Sequence, residues 1–364
     1  MKKALLILLI LPLLIVSANA ESYTTSLSDE LDASAVRDSL PEDVREIGGE
    51  LRFGEYDGAG ALERLWNRFL SQITEALRAC AREVFSVLAL ALVCTLGSVL
   101  TRDQKQDEYI QIAGCAALSC LLADGMNSLI GRAMSSLTSL HDYAGAALPA
   151  IYSTAAACGA PTSASARYAA SCLALDLMLS ASQRLLLPLL YASIAMAVCG
   201  SIFDNPLLRS MFRLCKKIAA LMMTGLTLVF TGFLSVTGIV TGSADAAAVK
   251  LTKTVVSSAV PVVGKILSEA ASSVLSAASI VRNTAGAFGL VAVCALCTAP
   301  FAAFGVRKLL FDLAAAAAEM TAGVRFSRLL GDYSSIMGLM LGLVGAYGMI
   351  LFVSIVSAIR TVTG

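Results

Sequence analysis

Apolar residues come in long runs parted by short charged stretches. Residues 84–100, 109–130, 185–203, 218–242, 283–306 and 333–359 are each nearly free of charge. A helix needs about 20 such residues to cross a 30 Å hydrocarbon core, so each run predicts a membrane-spanning helix. Upstream, Leu62, Leu65, Trp66, Phe69, Ile73 and Leu77 recur at steps of three and four. The other face carries Glu63, Arg64, Arg68, Glu75 and Arg78. That pattern predicts an amphipathic helix, lying on the membrane surface or forming a small helical cap. The expected fold is all-α: a polytopic helical membrane protein of about six to eight spans.

Two regions break the pattern. Residues 143–181 are weakly apolar, carry Arg167 and Asp176, and are interrupted by Pro149 and Pro161. Residues 250–281 hold Pro261, Gly264, Lys265 and Glu269. Orientation limits what they do. Arg209, Arg213, Lys216 and Lys217 face a single Asp204 in the loop after 203, which places that loop in the cytoplasm. Each weak region then adds no crossing or two, so both are expected to be Pro-broken re-entrant or short-helix segments. "LPAIYSTAAACGA" aligns with "VPVVGKILSEAAS", pairing Pro149 with Pro261. This suggests a parallel internal repeat over 110–217 and 218–334, of the kind transporters use. Chance likeness of Ala/Ser-rich helices is the other reading. Residues 309–332, with Asp312 and Glu319 seven apart, read as a short span or an interfacial helix. The side of the C-terminus stays open on that choice.

The amino terminus reads as a leader. Lys2 and Lys3 precede "ALLILLILPLLIV", and "SANA" ends in small residues, predicting cleavage after Ala20. An uncleaved first helix is the alternative. Residues 1–20 are then a signal peptide, 21–82 an acidic extracytoplasmic segment ending in the amphipathic helix, and 83–364 the membrane domain. Residues 21–80 carry thirteen Asp/Glu and six Arg, which suits the outer face.

Composition agrees. Of 364 residues 57% are hydrophobic and only 15% charged, where a soluble domain carries about 25%. A net charge of +1 offers no field for nucleic acid. Ten cysteines sit mostly within apolar runs and act as small hydrophobes rather than a disulfide framework. Cys294 and Cys297 are spaced like a redox or metal pair but lie mid-span, and His141 is the one histidine, so no metal or cofactor is expected. No phosphate-binding loop, serine elbow or His-Glu-x-x-His occurs, so the chain is not read as an enzyme.

Within 257–276, Gly264 permits close backbone approach, Lys265 and Glu269 share a face, and six serines form a small polar stripe. The segment reads as a broken helix packed on protein, lining a pathway or simply packing tightly. Asp124, Asp176, Lys265 and Glu269 are the candidate intramembrane charges.

"LTKTVVSSAVPVVGKILSEAASSVLSAASIVRNTAGAFGLVAV" resembles the stage III sporulation protein AE family, as do "LPAIYSTAAACGAPTSA" and the leader, acidic segment and spans. The resemblance implies a multi-pass protein of the mother-cell membrane around the forespore. It implies a channel or secretion complex with other membrane proteins of one sporulation operon as partners, required for forespore development. It carries no catalytic residue. Self-association in the bilayer is a further expectation. An autonomous secondary transporter, with its site between the two weak regions, and a passive scaffold are the alternative functions.

Overall fold

The computed structural model describes the backbone of residues 58–100, 104–259 and 263–360, and side chains over 60–100, 105–123, 125–237 and 284–360. The leader with Ala20, the acidic segment to residue 57, and Pro261 lie outside the described residues. So do the side chains of Asp124, Lys265 and Glu269.

The described chain is helical, with no strand among the described residues. α1 spans Gly58–Leu100. The amphipathic stretch and the first apolar run are therefore one continuous helix. α2 spans Gln104–Ala157. α3 (Pro161–Ala181) passes through a π-helical turn, Ser182–Leu186, into α4 (Leu187–Ile202). α5 spans Pro206–Ala259, α6 Val263–Thr321 and α7 Val324–Arg360. The π turn answers Pro188, whose ring would strike the Arg184 carbonyl in a regular helix; instead the Leu187 N–H reaches back to the Ser182 carbonyl.

Residue contacts fix the directions. Cys94 meets Gly114, His141 meets both Asp176 and Tyr347, and Gly348 meets Cys297. α1, α3–α4 and α6 thus run one way and α2, α5 and α7 the other, giving six alternating passes. With α3–α4 taken as one, the six passes among the described residues are each long and apolar enough to cross a membrane. The multi-pass all-α expectation holds.

One end of the bundle, the loop end, collects the end of α1, the start of α2 and the connections 203–205 and 322–323. Arg325 at the start of α7 pairs with Glu108 at the start of α2, and Arg325 and Arg328 both reach Asp204. Asp204 (φ 47°) and Gly323 (φ 91°) make these turns tight. Asn205 accepts the Leu207 N–H at 2.9 Å and Pro206 opens α5. The opposite end, the tip end, holds the start of α1, the α2–α3 turn and the end of α7.

The structure corrects the reading of the first weak region. α2 runs unbroken through Pro149, and the chain turns only at Gly159 (φ 94°), with Pro161 starting α3. Pro149 and Gly145 both lie exposed, so the lost hydrogen bond and the ring fall on the outer face. An interior proline costs about 3 kcal/mol. The neighbouring Leu148, Ile151 and Tyr152 offset it by being buried. Residues 143–181 are thus the two arms of a hairpin, not a re-entrant insertion. Residues 309–332 are likewise neither a short span nor a separate interfacial helix. They are the last turns of α6, the Gly323 turn and the first turns of α7. At 1.5 Å per residue α2 is about 80 Å long, more than twice a bilayer core.

Candidate functional site

Three polar layers cross the apolar bundle, and α7 contributes to each. The loop-end layer is the Glu108–Asp204–Arg325–Arg328 cluster, with Arg209 also on Asp204. The middle layer lies about 15 Å up α7, around residues 333–337. There Lys216 of α5 bonds Ser335 at 3.3 Å, and Lys308 of α6 bonds Asp312 at 2.9 Å and Ser334 at 3.4 Å. Ser334 also donates to Asp312. Arg307 is buried and holds Glu83 of α1 through two contacts, Nη2 to Oε1 at 3.0 Å and Nε to Oε2 at 3.4 Å. A bidentate pair of this kind is what lets a guanidinium sit inside an apolar bundle.

The tip layer begins about 18 Å further up. His141 Nδ1 lies 2.9 Å from the buried Tyr347 hydroxyl, and its Nε2 lies 3.6 Å from Asp176. Tyr152 donates to the Ser354 carbonyl at 3.0 Å and meets Ser171 at 3.2 Å. Arg167 donates to the Ser357 carbonyl at 2.8 Å. These bonds pin α2 and α3 to α7.

The residues singled out from sequence are not gathered into one place. Asp176 joins His141. Pro149 stands on an outer face. Asp124 lies on α2, and Gly264, Lys265 and Glu269 fall in the first turns of α6. Sequence reading missed Glu83, Tyr152 and Tyr333. Glu83 stands at the edge of an apolar run with no motif around it; only its approach to Arg307, 224 residues away, gives it a role. No group of three His, Cys, Asp or Glu able to hold a metal occurs among the described residues.

A cleft of about 260 Å³ opens beside the middle layer, between α1, α2, α6 and α7. Arg82, Glu83 and Ser86 form one wall and Leu122, Gly125 and Met126 another, with Tyr333 also lining it.

The stage III sporulation protein AE family model matches residues 47–362. The chain is 21% identical over 282 residues to the stage III sporulation protein AE of Bacillus subtilis (strain 168), covering 77% of this chain and 70% of that protein. No solved structure matches. With a family match that runs from before α1 to past the end of α7, this chain belongs to the stage III sporulation protein AE family.

Proposed function

We propose that the protein is the polytopic membrane subunit of a sporulation-specific secretion or channel complex linking mother cell and forespore, seated in the mother-cell membrane. The observation that carries this reading is the family match over all six passes. Its partners are other membrane proteins of the same complex. The polar layers act structurally, and no catalytic group is assigned.

Lys105, Arg209, Arg213, Arg325 and Arg328 lie at or near the loop end. Basic residues favour the cytoplasmic side, which supports a cytoplasmic loop end. The segment before α1 and the end of α7 then both face outward, where the acidic segment would meet outer-face partners. The test is a mild-detergent pull-down of the tagged full chain from sporulating cells. Co-purification of further sporulation membrane proteins in fixed ratio is the expected result. Purification of a homogeneous protein alone would overturn the subunit reading in favour of an autonomous transporter.

A further inference from the structure

The cleft beside the middle layer carries more positive charge than the fold uses. Glu83 is committed to Arg307 through both its oxygens. Arg132 lies near enough to feel the charges of both. Arg82 lines the cleft and enters no ion pair among the described residues. The cleft lining therefore holds one arginine outside the Glu83–Arg307 pair. Tyr333, also in the lining, is only 1% exposed, and its buried hydroxyl has no hydrogen-bond partner among the described residues. A buried, unsatisfied hydroxyl costs about 1–3 kcal/mol, so its retention calls for an acceptor.

Position and size narrow the occupant. On α1 the cleft falls where the charged stretch ending at Arg82 and Glu83 gives way to the charge-free residues 84–100. Such a boundary lies at headgroup depth. Exposed Leu121 lines the cleft, and from Arg82 the exposed Phe85, Leu92 and Leu96 continue as an apolar track along α1. A whole small-molecule ligand usually fills about 300–1,000 Å³. A volume of about 260 Å³ suits a headgroup whose tails stay outside. We propose that this cleft binds the phosphate headgroup of an anionic phospholipid, with Arg82 as the anion contact and the Tyr333 hydroxyl, turned into the cleft on binding, as hydrogen-bond donor. The acyl chains run over Phe85 and Leu121. Basic pockets between membrane helices commonly take such headgroups.

The full chain in nanodiscs of equal parts phosphatidylglycerol and phosphatidylcholine, released for native mass spectrometry, tests this. Retained phosphatidylglycerol should exceed phosphatidylcholine. Arg82→Gln should reduce its retention about tenfold, the loss of one charge-assisted contact. Gly125→Leu should do the same by filling the cleft, because a Cβ there meets nothing within 4 Å and the fold tolerates it. Tyr333→Phe should lower retention while raising the melting temperature of delipidated protein, two changes a merely structural tyrosine would not combine. Equal retention of both lipids would overturn the proposal, and so would retention unchanged by Gly125→Leu. Displacement by inorganic phosphate would show a free-anion site instead of a lipid site and would overturn it too.

Discussion

α1 and α6 run side by side in the same direction, and their most apolar stretches have the same mean hydropathy, 2.1. Yet 11% of that stretch is buried in α1 against 67% in α6. The difference lies in side-chain size. Residues 84–100 of α1 present Phe85, Leu92, Val93, Leu96 and Val99 outward. Residues 284–306 of α6 are rich in Ala, Gly and Cys and face α7, where Gly338, Gly345 and Gly348 admit Lys308, Phe301 and Cys297. In a membrane, small residues bring backbones together, while Leu and Val are as content against lipid. Hydropathy measures the distaste for water; it does not say whether lipid or protein replaces the water. The two apolar stretches also lie on opposite sides of the Glu83–Arg307 pair: that of α1 runs to the loop end, that of α6 to the tip end.

The sharpest way to break the comparison is at the pair joining the two helices. Glu83→Ala leaves Arg307 buried and unpaired and should cost about 3 kcal/mol, read as a large drop in melting temperature in detergent. Glu83→Leu combined with Arg307→Met should recover most of it. A double variant as unstable as the single one would show that the pair is not what ties α1 to α6.

Next comes close packing. A Cβ on Gly348 would stand 2.8 Å from the Cys297 sulfur. Gly348→Ala should therefore destabilise by about 1–3 kcal/mol through overpacking, and Cys297→Ala should relieve part of that loss. Gly225→Ala on α5, where nothing lies within 4 Å, is the matched control and should be neutral. The smallest effect belongs to the outer face of α1. Leu96→Ala should change stability by about 0.5 kcal/mol or less, since the side chain is 64% exposed. A larger loss in the native membrane than in detergent would mark that face as a contact with another subunit.

Much of this fold was legible in sequence. The six apolar runs each lie within one of the passes, and Lys216 was visible among the basic residues that mark a span end. Pro149 misled because proline is a strong local breaker, but buried Leu148, Ile151 and Tyr152 hold the helix through it. The real turn is set by Gly159, ten residues on, which a run of alanines disguises. The long arms of α2 and α3 were hidden because their serines and alanines bury against α7 with little hydropathy signal. The candidate cleft was not legible at all. Arg82, Gly125 and Tyr333 lie far apart in the chain and carry no motif.

Sequence by itself determined that this chain crosses a membrane as helices and to which family it belongs, because hydropathy and local motifs act over a few turns. The tertiary structure alone decided which helix is central and which is peripheral, that Glu83 neutralises Arg307, and that the start of α1 and the end of α7 share one end. Those outcomes depend on which small residues meet between helices, and on the rule that a buried charge must find its partner wherever the fold places it.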